Sequence, residues 1–273
     1  MSASKKAKSS AERSPLKLRF VGFCGVDESF TDEQIDGRDW PEYIEWGVLF
    51  REEKEGSLRF PKRDWVKKFV AKESKVKHLA AHLCSTRCEQ VLRGDLSFVK
   101  ELHQELGFNR FQINATKGNG VDSERLGDEQ VRNIVKLAKA FPDAEFIIQR
   151  NEETKPLWHG LEVTIGETCP RNISYLFDAS VGRGLVVADF PRPKFQWAKY
   201  GYAGGIKPEN VAEVVRNVAL HVPESDEAWI DMESGIRIKE TDVFSAERAW
   251  EVCETIELLR KEGSIALVSK DDE

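Results

Sequence analysis

Strand-type and helix-type segments alternate along almost the whole chain, and this alternation limits the possible folds more than any other feature. Eight strand-type segments are separated by helical stretches such as 128–140, where the apolar residues share one helix face. The strand candidates are residues 18–24, 43–50, 76–83, 110–114, 144–149, 174–178, 199–203 and 228–232. Eight strand–helix units in about 250 residues are typical of a (β/α)8 TIM barrel.

An open, doubly wound sheet is the competing α/β fold. Such a sheet usually carries a glycine-rich turn after its first strand, whereas here that strand continues into Cys-Gly-Val-Asp at 24–27. No change of composition marks a domain boundary within residues 18–265. The sequence therefore predicts an α/β protein with a single (β/α)8 barrel domain over residues 18–265.

The charge of the chain is distributed unevenly. The sequence has 41 Lys and Arg against 47 Asp and Glu, a net charge of −6, yet residues 1–17 carry five basic residues and one acidic residue. A polar, basic stretch of this kind is typical of a disordered tail, and a targeting patch is the alternative. At the other end, residues 266–273 are expected to fray.

Composition also limits the partners. The acidic body offers no extended positive surface for nucleic acid, and no run approaches the ~20 apolar residues of a membrane span. The five cysteines are scattered, and Cys84 and Cys88, close to His82, have no second pair to complete a zinc site. We therefore expect a cytoplasmic protein, a monomer or homodimer, that uses no nucleic acid, membrane or metal.

Polar side chains gather at the predicted carboxyl ends of the strands, which line the active site of a barrel. The residues at these ends are Cys24, Arg51, His82, Gln112, Asn114, Gln149, Asp178 and Asp231. Strand ends are also where a chain returns to solvent, so position alone leaves a functional and a purely structural interpretation open.

Two glycine-bearing loops follow the last two predicted strands. Gly204 and Gly205 precede a helix, and Ser234 and Gly235 follow the eighth strand. Bare backbone N–H groups and a helix amino terminus bind anions, and these two loops usually hold phosphate in this fold. The glycines also suit a tight turn, but their presence in both loops favours a phosphate site.

Short motifs occur in the order known from one enzyme family. They are Phe-Cys-Gly at 23–25, Gly-Val-Leu-Phe at 47–50, Ser-Leu-Arg-Phe at 57–60, Phe-Asp at 177–178, Gly-Arg-Gly at 182–184, Gly-Gly-Ile-Lys-Pro-Glu-Asn-Val at 204–211 and Asp-Met-Glu-Ser-Gly-Ile-Arg at 231–237. In these motifs the chain resembles phosphoribosylanthranilate isomerase, a ribulose-phosphate-binding barrel of tryptophan biosynthesis. The segment at 204–211 is the most specific match.

The resemblance implies an Amadori rearrangement, the isomerisation of a phosphorylated aldose-amine to a ketose-amine. It places the general base at Cys24, the general acid at Asp178, and Arg59 at the carboxylate of the substrate. A thiol acts as a base only where its surroundings lower its pKa, and an Asp acts as an acid only where it is partly desolvated.

The resemblance implies no cofactor and no metal, because the amine nitrogen serves as the electron sink. The expected partner is a small phosphorylated sugar. We assign substrate binding to the strand-end residues His82, Gln112, Asn114 and Asp231, together with Arg59. Phosphate binding is assigned to Gly182, Gly184, Gly204, Gly205, Ser234 and Gly235.

The chain departs from the family at two strand ends. It reads Gln-Ile-Asn-Ala at 112–115 where the family has Gln-Leu-His-Gly, and its third strand ends near His82, outside the family pattern. These departures predict a divergent substrate. Another phosphosugar epimerase or isomerase, with His82 and Asp178 as acid and base, is one alternative, although Glu-Trp-Gly at 45–47 lacks the His-x-Asp of metal-dependent epimerases. A non-catalytic barrel that binds a phosphorylated ligand is the other.

Overall fold

A closed parallel sheet is the centre of the fold. The computed structural model describes residues 14–165, 168–178, 198–223 and 226–268. The barrel strands are β1 (Leu16–Cys24), β2 (Ile44–Phe50), β3 (His78–Leu83), β4 (Arg110–Ile113), β5 (Glu145–Arg150), β6 (Ile173–Asp178), β7 (Tyr200–Ala203) and β8 (Glu227–Met232). They pair in chain order, and β8 pairs in parallel with β1, with Phe23 opposite Met232. The predicted (β/α)8 barrel is therefore confirmed.

Helices connect the strands. They are α1 (Asp32–Asp36), α2 (Arg63–Val70), α3 (Ser85–Leu92), α4 (Ser97–Leu106), α5 (Asp128–Ala140), α6 (Lys155–His159), α7 (Val211–His221) and α8 (Ala246–Lys261). The hydroxyl of Ser245 caps α8 by accepting a hydrogen bond from the N–H of Arg248, and Gly263 follows the helix at a φ of +75°. The predicted start and stop signals of α8 are thus both used.

The sequence does not predict α3 and α6. In α3 the buried side chains are Cys88, Val91 and Leu92, a stripe too short to stand out against its polar neighbours. In α6 five residues lead directly into a π-helical segment, Gly160–Ile165, so the spacing of apolar residues changes within one turn.

Both ends of the described chain join the sheet. β1 begins at Leu16, two residues before the predicted barrel boundary, and a short strand β11 (Ile265–Leu267) pairs with Leu16–Leu18. Between β8 and α8 lies a small hairpin of β9 (Arg237–Ile238) and β10 (Val243–Phe244). Part of the segment expected to fray, 266–267, therefore pairs with the first strand. Residues 1–13 and 269–273 of the two predicted tails lie outside the described residues.

The two faces of the barrel strands differ in character. One face packs against the helices through large apolar side chains such as Phe23, Trp46 and Tyr175. The other face points into the barrel, where Phe20 and Trp229 belong to a small separate cluster with Ile147, Leu176 and Ala203. Strand alternation places the polar residues of the motifs on this inner face, above and below that cluster.

Below the small apolar cluster lies a group of buried charges, termed here the lower ion cluster: Arg19, Glu45, Arg110 and Glu145. Arg110 forms ion pairs with both Glu45 and Glu145, and Arg19 contacts Glu145 at 2.5 Å. The hydroxyl of Ser174 donates to Glu145. The Arg110 guanidinium lies 4.8 Å from the ring centroids of Phe20 and Trp229. Each charge of this cluster thus has an opposite charge beside it.

Candidate active site

A cavity of about 270 Å³ opens at the carboxyl ends of the strands and is termed here the mouth. Its lining includes predicted site residues from β1, β3, β4, β6, β8 and the loops after β7 and β8: Cys24, His82, Gln112, Asn114, Asp178, Gly204, Gly205, Asp231, Ser234 and Gly235. The strands thus bring side chains that are far apart in sequence into one polar cavity, as expected for an active site of this fold.

Cys24 and His82 contact each other inside the mouth. The Sγ atom of Cys24 lies 3.2 Å from Nδ1 of His82, and the two side chains are only 2% and 3% exposed. Burial, followed by the charges of Glu233 and Asp231, raises the pKa of the Cys24 thiol. Burial, followed by the charge of Arg110, lowers the pKa of His82 to about 3. At neutral pH the pair is therefore an uncharged thiol beside an uncharged imidazole.

Two carboxyl groups, Asp178 and Asp231, line the same cavity from β6 and β8. Both are buried, with exposures of 7% and 8%. Burial raises the pKa of Asp231 well above its usual range, and the charges of Glu45, Glu233 and Asp178 act in the same direction. The raised pKa allows Asp231 to hold a proton near neutral pH, which a general acid requires.

A chain of hydrogen bonds fixes the side chains from β4. Nε2 of Gln112 donates to Oδ1 of Asn114 at 2.7 Å, and Nδ2 of Asn114 donates to Sγ of Cys84 at 3.4 Å. Cys84 also contacts the Oδ1 atom of Asn119 at 3.6 Å. Gln112 and Asn114 therefore present a fixed polar wall to the mouth.

The loops after β7 and β8 meet at the rim. Gly204 and Gly205 have φ values of +106° and +63°, which favour glycine. A Cβ atom at Gly235 would lie 1.9 Å from the carbonyl oxygen of Ile206, so the two loops are in direct contact. Asn210 closes the first loop by accepting from the N–H of Lys207 and donating to the carbonyl of Gly205. This turn delays the start of α7 to Val211, beyond the predicted start at Pro208.

Arg59 lies outside the lining of the mouth. Its guanidinium makes two hydrogen bonds to Asp242, at 2.8 and 2.6 Å, and an ion pair with Glu233. Its backbone N–H donates to Oδ2 of Asp27 at 2.6 Å, with a φ of +73°. Arg59 therefore ties the loop after β2 to the loop after β8. Gly182 and Gly184, the remaining predicted phosphate ligands, lie outside the described residues.

Four polar side chains line the mouth without a role assigned from the sequence: Asn119, Gln149, Lys207 and Glu233. Gln149 and Glu233 carry the same strand-end signal as the assigned residues, and Lys207 lies within the motif after β7. Asn119 lies on the loop after β4, where no motif indicates it. Within the described part of the chain, Oε1 of Gln149 has no hydrogen-bond partner, so it is available to a ligand.

Comparison with known proteins identifies no family for this chain. The chain matches no protein-family model and no curated protein sequence. Among solved structures it is similar to the spore coat polysaccharide biosynthesis protein SpsE of Bacillus subtilis, with a TM-score of 0.45 and 13% identity over 98% of this chain and 76% of that one. Over the described residues, no helix has the length and apolar character needed to cross a membrane.

Proposed function

We propose that this barrel is a cofactor-independent isomerase that converts a phosphorylated aldose-amine to the ketose-amine, the reaction of the phosphoribosylanthranilate isomerase family. One observation carries the proposal. The Cys24 thiol and the Asp178 carboxyl line the same cavity, whose rim is formed by the glycine loops after β7 and β8. A proton acceptor, a proton donor and an anion cradle thus surround a space of a size suited to a small substrate.

The rim supports binding of the phosphate group. Gly204, Gly205 and Gly235 have no side chains to keep an anion from the backbone, and their two loops are in contact. Backbone N–H groups and Ser234 are suitable donors to phosphate oxygens, and Lys207 adds a positive charge to the lining. With its phosphate at this rim, a sugar would extend towards Cys24 and Asp178.

The reaction requires an acid and a base. Asp178 gives its proton to the ring oxygen, the C1–O bond breaks, and the amine nitrogen shares its lone pair to form an iminium ion. A base then removes the proton from C2, and the electrons of that C–H bond neutralise the iminium to give an enamine. The enamine is the enol of the ketose-amine and becomes the product by proton transfer to C1.

The contact between Cys24 and His82 determines how the base works. Since its raised pKa keeps the thiol uncharged, it must lose its proton before it can accept one. Nδ1 of His82 lies 3.2 Å from Sγ and is the nearest candidate acceptor. The raised pKa of the thiol and the lowered pKa of the imidazole oppose this transfer in the protein alone, so we propose that the thiol proton passes to His82 only with the substrate bound, and that the thiolate then takes the proton from C2. The base is thus a thiol–imidazole pair, and Cys24 alone does not suffice.

Turnover of phosphoribosylanthranilate and related aldose-amine phosphates tests the proposal. We expect Cys24→Ser and Asp178→Asn each to lower kcat by about 10²–10⁴-fold, the usual contribution of a general base or acid. Binding of the substrate should change little, because the rim is untouched. The matched control is Cys253→Ser, a buried cysteine in α8 far from the mouth, which should retain activity.

Two outcomes would favour the alternatives. Turnover of another phosphosugar, but of no aldose-amine, would indicate a different isomerase or epimerase built on the same rim. Binding of a phosphorylated ligand without turnover of any substrate in the panel would indicate a non-catalytic barrel. Equal activity of Cys24→Ser and the wild-type protein would contradict the proposed mechanism outright.

A further inference from the structure

Three side chains with metal-binding atoms converge in the mouth. The Sγ of Cys24, an imidazole nitrogen of His82 and a carboxylate oxygen of Asp231 all lie within 4.8 Å of one another. The sulfur and Nδ1 of His82 are 3.2 Å apart. The residues come from β1, β3 and β8, and each is less than one-tenth exposed. A thiol, an imidazole and a carboxylate together are a donor set that suits Zn²⁺.

Two glycines allow this convergence. Gly47 of β2 lies between β1 and β3, and a Cβ atom there would come within 2.9 Å of both Cα of Cys24 and Nε2 of His82. Gly22 pairs with Asp231 across β1 and β8, and a Cβ atom there would lie 2.4 Å from Oδ1 of Asp231. A side chain at either position would push one of the three donors away. The strands thus keep space free beside each donor.

The spacing of the donors is close to that of a zinc site. Zinc binds sulfur at about 2.3 Å and nitrogen or oxygen at about 2.0–2.2 Å, so tetrahedral ligand atoms lie about 3.3–3.6 Å apart. The contact between Cys24 and His82, at 3.2 Å, is close to this length, and the third donor lies within 4.8 Å of the other two. We propose that Cys24, His82 and Asp231 bind Zn²⁺ in the mouth and leave its fourth coordination position open towards the cavity.

The charge of the mouth fits a cation at this point. The carboxylates of Glu233 and Asp178 also line the cavity, and Lys207 is the cationic side chain among its described lining residues. A thiolate and a carboxylate on Zn²⁺ form a neutral unit, so both groups can lose their protons to the metal without leaving a net charge buried. Three protein ligands with one open position are typical of a reactive zinc site, whereas structural sites are closed by four.

The site goes beyond the proposed isomerase, which uses no metal. A zinc ion on Sγ of Cys24 would occupy the electron pair that the isomerase needs as its base. Zinc-loaded protein is therefore expected to lack isomerase activity and to recover it with a chelator, so that metal and aldose-amine compete for one side chain.

Metal binding is tested directly on the purified full-length chain. Protein freed of metal by a chelator is titrated with Zn²⁺ in competition with a chromophoric chelator, and separately with Co²⁺ as a spectroscopic probe. We expect one Zn²⁺ per chain, and a Co²⁺ complex with a thiolate-to-metal charge-transfer band and the intense visible absorption of tetrahedral geometry.

Variants assign the ligands. Cys24→Ser should abolish the charge-transfer band, and His82→Gln and Asp231→Asn should each weaken Zn²⁺ binding on the order of a hundredfold, at least the loss known for outer-sphere partners. The matched control is Cys84→Ser, since Sγ of Cys84 is already engaged by Asn114 and Asn119. This variant should retain the band. Circular dichroism of each variant checks that it is folded.

The proposal is overturned if the metal-free protein binds no Zn²⁺, or if Cys84→Ser loses the charge-transfer band while Cys24→Ser retains it. The two proposals fail separately. Isomerase activity is measured in chelator and does not depend on zinc, and the Co²⁺ spectrum does not depend on turnover. A protein that binds zinc but never isomerises would leave the metal site standing alone.

Discussion

The lower ion cluster and the mouth are two layers of buried charge in one barrel, and they are built in opposite ways. In the lower layer, burial raises the pKa of Glu45, but at Glu145 the charges of Arg110 and Arg19 and the hydrogen bond from Ser174 outweigh burial and hold the pKa at about 2. In the mouth, burial and neighbouring carboxylates together raise the pKa of Asp231. The first layer places Arg110 and Arg19 beside its carboxylates, whereas Asp231 has no ion pair among the described residues, so a ligand or a proton must supply its counter-charge.

This difference separates the part of the barrel that supports the fold from the part that binds. A buried charge that is paired with an opposite charge contributes to a specific structure. If one partner is removed, the other is left as a buried charge without compensation, which destabilises the fold. A buried charge without a partner is costly in the free protein and favours whatever neutralises it. Mutations in the two layers should therefore change stability in opposite directions.

The largest expected effect is the removal of Arg110. Arg110→Met leaves Glu45 and Glu145 buried without their shared cation, and we expect the free energy of unfolding to fall by about 3–5 kcal/mol. Urea unfolding measures this loss. Arg93→Met is the matched control, because Arg93 forms an exposed pair with Glu89 and should cost less than about 1 kcal/mol.

The mechanism of that loss can be separated from a loss of packing. If uncompensated charge is the cause, the triple variant Glu45→Gln/Arg110→Met/Glu145→Gln should recover much of the stability. A triple variant less stable than Arg110→Met alone would show that side-chain packing, and not charge pairing, accounts for the stability of the lower ion cluster. The proposed difference between the two layers would then be wrong.

Acid titration gives the next effect. The folded-state pKa of Glu145 is about 2, below its ordinary value of about 4.3, so the unfolded chain takes up this proton first as the pH falls. The stability that Glu145 contributes is complete above the unfolded pKa and is lost towards pH 2, a change of about 3 kcal/mol. Urea unfolding from pH 7 to pH 2 should show the difference between wild type and Glu145→Gln shrinking by this amount. A constant difference would contradict the assignment.

Much of this architecture can be predicted from the sequence, because each barrel strand carries its own apolar pattern and ends in a polar residue. Asp178 and Asp231 lie in the mouth for that reason, and the glycine loops after β7 and β8 lie at the rim. Local sequence determines these placements, because the carboxyl end of every barrel strand lies at the mouth, whatever the position of that strand in the sheet.

Contacts across the barrel could not be predicted in this way. Cys24 and His82 belong to strands that are not neighbours, and they meet because Gly47 on the strand between them has no side chain. Arg59 has the sequence context of a ligand-binding arginine, but its partners Asp242 and Glu233 are 183 and 174 residues away. Such contacts depend on barrel curvature and loop packing, which no local pattern records.

The rim of the mouth offers a third prediction. Gly235→Ala places a Cβ atom 1.9 Å from the carbonyl oxygen of Ile206 and must push the loops after β7 and β8 apart. Binding of inorganic phosphate, measured by calorimetry, should weaken about tenfold, or about 1.4 kcal/mol. Gly127→Ala is the control, since a Cβ atom there meets only open space and the side-chain oxygen of Gln130 at 4.0 Å. Unchanged phosphate binding in Gly235→Ala would move the anion site away from this junction.

The smallest expected effect has the most informative sign. Asp231→Asn removes a carboxyl group whose burial among other carboxylates is costly in the folded state, so we expect the free energy of unfolding to rise by about 1 kcal/mol, the usual gain when a strained functional group is relieved. Asp242→Asn should act in the opposite direction, because hydrogen bonds from Arg59 stabilise that carboxylate and lower its pKa. Urea unfolding of both variants at pH 7 gives the two signs. If Asp231→Asn were the less stable of the two variants, the wild-type carboxylate of Asp231 would have a stabilising partner. The charges of the mouth would then be compensated within the protein, as they are in the lower ion cluster.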